Sequence, residues 1–213
     1  MNKVKNLFVA VSDKSILDPL LAVLDPESVR FWGTDGTANY IKNKGFDAKS
    51  VVAGFDFDGR VKSLDRVIFA RILADKQNKK HLEELKNVIA RSPSTLLRTT
   101  KQSNQKITSP SVRDDKRVDW EPFDAVIVDL YPLDKNNFPE SMDIGGQALI
   151  RAAVKNYRSV AVAFDKSSLE SLVSELINNS GSTTLKFRGT QAQKAAKFIA
   201  ERCKAESELT FSL

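Results

Sequence analysis

The chain has 213 residues, 41% of them hydrophobic and 28% charged, the profile of an ordinary globular α/β-sized domain. Its 33 basic and 27 acidic residues leave a net charge of +6, which favours anionic partners such as phosphorylated metabolites without choosing among them. One cysteine, Cys203, excludes an intramolecular disulfide framework, and the absence of a membrane-length apolar run or a signal-peptide pattern after Met1 makes a cytoplasmic location the expectation.

Leu7 to Val11 is a short, continuously apolar run, as expected of a parallel strand buried on both faces. Ser12 or Asp13 is placed to cap a helix carrying Leu17, Leu20, Leu21 and Leu24, with Pro19 in its first turn. Val29 to Trp32 reads as a second strand. Gly33, Thr34, Asp35, Gly36 and Thr37 read as a tight polar turn, and Ala38 to Lys44 as a short helix closed by Gly45. Small polar residues thus follow each strand, at the edge where doubly wound sheets bind ligands. Ala48 to Val52 is a candidate third strand. The stretch from Gly54 to Leu64 mixes Gly, Asp, Phe and the cations Arg60 and Lys62.

Val67 to Ala74 and His81 to Ala90 show helical spacing; His81 stands among Lys79, Lys80, Glu83 and Glu84, the composition of a solvated face. Residues 92–119 are rich in Ser, Thr, Lys and Arg and read as a long polar surface loop. Their cations lack interleaved aromatic residues, so solvation rather than nucleic-acid binding is expected. Ala125 to Leu130 is the clearest strand, ended by Tyr131 and Pro132, and Val160 to Phe164 is another. Ser167 or Ser168 starts a helix through Ile177, and Gln191 to Lys204 forms the last one. The alternation predicts one three-layer α/β domain over residues 1–213, with a mostly parallel sheet of about five strands and no boundary before about residue 180.

The stretch from Asp143 to Tyr157 organises this pattern. An acid precedes Gly145 and Gly146, which open a helix ending at Lys155. Helix amino ends carry unpaired N–H groups, and glycine allows close approach of a ligand. The same residues are also compatible with a plain loop-to-helix junction and a solvated lysine.

In order, Val11-Ser12-Asp13-Lys14, Gly36-Thr37-Ala38, Asp58-Gly59-Arg60-Val61-Lys62-Ser63-Leu64, Leu130-Tyr131-Pro132 and Asp143-Ile144-Gly145-Gly146 through Arg151-Ala152-Ala153-Val154-Lys155-Asn156 resemble the IMP cyclohydrolase domain of the bifunctional enzyme AICAR transformylase/IMP cyclohydrolase. The resemblance runs from residue 4 to about 200. It implies a methylglyoxal-synthase-like, Rossmann-like fold. The implied reaction is closure of FAICAR to IMP with loss of water, the final step of de novo purine biosynthesis, by a hydrolase of cyclic amidines working in the ring-closing direction. A second reading is a non-catalytic module of the same fold that binds a phosphorylated purine intermediate. No metal and no other cofactor is implied. The larger transformylase domain of the family has no counterpart in these residues, so a separate transformylase partner is expected; the dimeric state of the bifunctional family implies a homodimer.

Residue by residue, the resemblance places Ser12, Lys14, Thr34, Gly36, Thr37, Arg60 and Ser63 around the ribose phosphate, and the Ile144 and Gly145 N–H groups on an oxygen of the base. It makes Lys62, Tyr131, Asp143 and Lys155 the catalytic set, with Asp143 as proton acceptor and Lys155 as its electrostatic partner. An unbroken helix from Gly145 would hold those two about 15 Å apart. The shared site therefore predicts a bend that brings them within about 8 Å of each other, near Lys62. The chain departs from the family at Asp35, Asp65, Asp129 and Tyr157, which stand where the family has Gly, His, Asn and His. A carboxylate about 4 Å from a phosphate charge costs roughly 1 kcal/mol in water and about 4 at an effective dielectric near 20, so either Asp35 points away from the phosphate or the phosphate binds poorly.

Overall fold

A computed structural model describes residues 1–51, 64–90 and 121–210. Five strands, β2 (Asn6–Ala10), β3 (Arg30–Gly33), β4 (Asp47–Ser50), β5 (Ala125–Val128) and β6 (Ala161–Ala163), form one sheet in the order β4-β3-β2-β5-β6, every pairing parallel. A two-residue strand, β1 (Asn2–Lys3), pairs antiparallel with β7 (Ser182–Thr183). Neither of these has enough residues to leave a periodic signal in the sequence.

Strand alternation divides the core into two. Leu7 and Val9 of β2, Ala125 and Ile127 of β5, and Ala161 and Ala163 of β6 face one side. There they meet α1 (Asp18–Leu21), α2 (Asp35–Asn43) and α6 (Lys166–Asn178) through Leu20, Leu21, Ile41, Leu169 and Leu172. Phe8, Val126, Val128 and Val162 face the other side. That face is covered by α3 (Arg66–Leu73), α5 (Ile144–Lys155) and α7 (Leu185–Thr210), while α4 (Lys79–Ala90) packs on α3. The result is the expected three-layer architecture.

Several boundaries differ from the expectation. The helix after β3 begins at Asp35, not Ala38, because Thr34 is already extended, with φ −65° and ψ 158°, and fills the N-cap position. Asp13 caps only a 3₁₀ turn, Lys14–Leu17, which leads into α1 with Pro19 in its first turn. Asp165 rather than a serine caps α6. Its carboxylate accepts from the Ser168 N–H at 2.7 Å, while Ser168 Oγ accepts from the Asp165 N–H at 2.9 Å. Helix α7 spans 26 residues, far beyond Gln191 to Lys204. The expected loop at 92–119 lies outside the described residues. Among the described residues, no helix is long and apolar enough to cross a membrane.

Arg188 fixes the start of α7. Its buried guanidinium donates to the carbonyls of Thr183 (2.7 Å), Arg158 (2.8 Å) and Tyr157 (3.1 Å), and to Thr183 Oγ1 (3.0 Å). Two carbonyls of the turn between α5 and β6 and one at the end of β7 are thereby satisfied by one side chain. Arg188→Met would strip these acceptors of their donor, and urea denaturation should show a loss of about 3 kcal/mol or more.

Candidate functional site

The chain moves outward from β2 to β3 and β4, then crosses back to β5 on the other side of β2 and on to β6. The direction of winding therefore reverses between β2 and β5. In an open parallel sheet the loops leaving the strands on either side of such a reversal diverge and leave a crevice at the carboxyl edge. Three segments meet there: Ser12 to Lys14 after β2, Thr34 to Thr37 after β3, and Asp129 to Tyr131 after β5.

Ser12 bridges to the β5 side. Its N–H donates to Asp129 Oδ1 and its hydroxyl to Asp129 Oδ2, both at 2.7 Å. Lys14 Nζ donates to the Ser12 carbonyl at 2.7 Å. The Lys14 stem lies over the first turn of α2, where a Cβ on Gly36 would stand 3.6 Å from Lys14 Cε. Thr34 makes no side-chain cap to α2; its hydroxyl goes to Thr37 Oγ1 at 3.2 Å instead. The N-cap side chain thus leaves the first N–H groups of α2 to another acceptor. Ser12, Lys14, Thr34, Gly36 and Thr37 are therefore brought together. The Asp35 carboxylate accepts a hydrogen bond from Ser50 Oγ at the end of the outer strand β4.

Asp143 caps α5 from the other side of the crevice. Its Oδ1 accepts from the Gly146 N–H at 2.6 Å. Burial pushes its pKa above the ordinary carboxylate value; the Gly146 and Tyr131 N–H groups and the Arg202 charge pull it down, and the Asp129 charge raises it further. Asp143, Asp129 and the Tyr131 backbone thus share one neighbourhood. The Tyr131 side chain is 62% exposed, so its phenol faces solvent rather than the core. Gly145 is buried and Ile144 exposed at the same helix start.

Gly146 is confined by its neighbours. A Cβ there would stand 2.6 Å from both Asp143 Oδ2 and Leu130 Cδ2. Only glycine lets the loop after β5 close against the start of α5.

A brace from α7, unforeseen in the sequence, holds this turn. Arg202 donates to Glu206 at 3.0 Å and to the Ser141 carbonyl at 3.2 Å. Gln147 of α5 donates to the same Glu206 oxygen at 2.7 Å. The only sequence sign of it is the i, i+4 spacing of Arg202 and Glu206.

Lys155 is not brought to Asp143. Helix α5 runs unbroken from Ile144 to Lys155, so the bend expected from the resemblance is absent. Twelve residues at ~1.5 Å rise put the two positions about 18 Å apart. Lys155 is exposed and stands at the opposite edge of the sheet, just before Asn156, whose amide binds the Ile72 and Ala74 carbonyls. Within one chain it takes no part at Asp143. Arg60, Lys62 and Ser63 lie outside the described residues. Among the described residues, no cluster of His, Cys, Asp and Glu could hold a metal ion.

No family model matches the chain. The bifunctional purine biosynthesis protein PurH of Bradyrhizobium diazoefficiens is 32% identical over 206 residues, covering 91% of this chain and 33% of that protein. PurH of Lactobacillus delbrueckii subsp. bulgaricus is 31% identical over 209 residues, 92% of this chain and 35% of its own length. The chain is similar to one third of PurH. Its length accordingly spans about a third of the curated relatives it matches. The crystal structure of ForH superimposes with a TM-score of 0.68, covering 97% of this chain and 98% of its own at 23% identity, which shows a shared fold alone. That fold is compatible with the methylglyoxal-synthase-like architecture implied by the motifs.

Gly146→Ala should displace either Asp143 or Leu130. A loss of about 1–3 kcal/mol in denaturant unfolding is expected, the usual range for overpacking a filled site.

Proposed function

We propose that the chain is an IMP cyclohydrolase that closes the ring of FAICAR to give IMP and water. The observation that carries this reading is the placement of Asp143. A carboxylate with a raised pKa stands at a helix amino end, across the reversal crevice from the Ser12, Lys14, Thr34, Gly36 and Thr37 group. The PurH relatives support purine biosynthesis as the setting.

In this reading the phosphate lies against Lys14, the Ser12 and Thr37 region and the start of α2, with Arg60 and Ser63 completing its contacts. The base end then reaches Tyr131 and Asp143, and the Ile144 and Gly145 N–H groups take an oxygen of the base. The carboxamide nitrogen attacks the formyl carbon of the same molecule. Asp143 accepts the proton lost by that nitrogen, and the formyl oxygen gains a proton to become a hydroxyl. The C–O bond then breaks as the formamide nitrogen forms the new C=N bond and gives up its proton, so that the hydroxyl leaves as water. Lys62 stabilises charge on the formyl oxygen as it develops. Both reacting groups belong to one substrate, so selecting the reactive conformer supplies much of the acceleration. Lys155 can join this set only from a second copy of the chain. The proposal therefore includes a homodimer, with FAICAR supplied by a separate transformylase. Sedimentation that shows only monomer in the micromolar range removes both the dimer and the role of Lys155.

The rival reading, a module that binds the nucleotide without turning it over, is favoured by the Ser12–Asp129 contact, which occupies donors a phosphate would use. A steady-state assay following FAICAR conversion by ultraviolet absorbance decides between them. Turnover is expected; nucleotide binding without turnover establishes the rival.

Asp143→Asn should keep the cap, since an amide oxygen also accepts from Gly146, yet lower turnover by about ten- to a thousandfold. The raised pKa fixes two further signs. Activity should fall as pH drops through a value above the ordinary 3.8 of an aspartate, because the base must be ionised. Stability runs the other way. A raised folded-state pKa means that the folded chain holds its proton longer than the unfolded chain. The wild type should therefore lose stability relative to Asp143→Asn as pH rises through that folded-state pKa. A pH series of turnover and of urea midpoints for the two proteins checks both.

A further inference from the structure

We propose that Asp129 is a built-in counter-anion that fills the anion donors of the crevice, so that a phosphate-bearing ligand enters only by exchange with its carboxylate. The inference rests on the nucleotide reading above and deepens it by naming the residue that sets affinity for the ligand's charged end.

Both carboxylate oxygens of Asp129 are engaged by one residue, Oδ1 by the Ser12 N–H and Oδ2 by the Ser12 hydroxyl, each at 2.7 Å. A backbone N–H and a hydroxyl presented side by side match the two acceptors of a phosphate face as well as those of a carboxylate. The Lys14 ammonium on the Ser12 carbonyl adds positive charge to the same turn. Ser12 and Asp129 are 117 residues apart and follow the two strands on either side of the winding reversal, so their contact spans the crevice.

The other acid at this edge behaves differently. Asp35, the first residue of α2, has its carboxylate tied to Ser50 at the end of β4. Asp129 is turned inward, onto the donors. Its charge also contributes to the raised pKa of Asp143, which places it close to both ends of the site. A phosphate arriving at Ser12 must take over both hydrogen bonds and displace a like charge. The free site is thereby kept satisfied, and affinity for phosphate is set below what the donors alone would give.

Asp129→Asn keeps the shape and one acceptor but removes the charge. Calorimetric titration with IMP should show about tenfold tighter binding to Asp129→Asn than to the wild type, the effect of removing one nearby like charge in a largely solvated site. Inosine, which lacks the phosphate, should bind the two proteins equally. A merely structural role would alter both ligands together. Unchanged or weaker IMP binding by the variant overturns the proposal, as does an equal gain for inosine. If neither protein binds IMP, the nucleotide reading falls. The exchange is then judged on inorganic phosphate, where equal affinity in the two proteins, or no binding to either, overturns it. Should Asp129→Asn melt early, Asp129→Ser removes the same charge and is read by the same titrations.

Discussion

The parallel pairing of β2 with β5 is the contact on which the rest depends. It joins two parts of the chain more than a hundred residues apart, Leu7 against Ala125 through Ala10 against Val128. A single carboxylate secures its entry. Asp124 accepts from the Lys5 and Asn6 N–H groups at 3.0 and 2.8 Å, and Lys76 pairs with its other oxygen. Those two N–H groups precede the ladder, where neighbouring strands no longer supply acceptors. Because this pairing reverses the winding of the sheet, it also creates the crevice at the opposite edge. The stabilising contact and the candidate site are two ends of one strand pair.

Much of this was legible in the sequence because it is written in local residue types. The runs Leu7 to Val11, Ala125 to Leu130 and Val160 to Phe164 have the apolar continuity that only a doubly covered parallel strand needs. The small polar residues after them mark the carboxyl edge. Gly45, with φ +90°, ends α2 as its type suggests. What escaped was non-local. The role of Asp129 depends on Ser12, and the brace from Arg202 depends on Ser141, and no spacing rule connects either pair. The start of α7 escaped for a different reason. The helix begins at Leu185, upstream of the expected Gln191, where Arg188 anchors it against backbone carbonyls.

The treatment of Lys155 shows where a resemblance and a rigid element disagree. Motif order placed it beside Asp143, while the rise of a helix placed it far away. Ala148, Leu149, Ala152 and Ala153 are good helix formers, with Leu149, Ala152 and Ala153 buried against the sheet, so nothing favours a break. Packing of α5 therefore decides the geometry. Asp35 is the reverse case. Its charge would be costly beside a phosphate, and a residue distant in sequence, Ser50 at the end of β4, holds its carboxylate.

The cap of α5 limits which substitutions the chain can explore. Asp143 does two things at once: its short side chain reaches the Gly146 N–H, and its carboxyl group can exchange a proton. Serine, threonine or asparagine would keep the first property and lose the second. Glutamate would keep a titratable group on a longer stem that is poorly suited to the cap. The glycine two places beyond the helix start is fixed by the same carboxylate, since any side chain there would collide with it. Sequence drift at this turn must therefore move both positions together or neither, and the surrounding loops are left to absorb whatever variation the lineage accumulates.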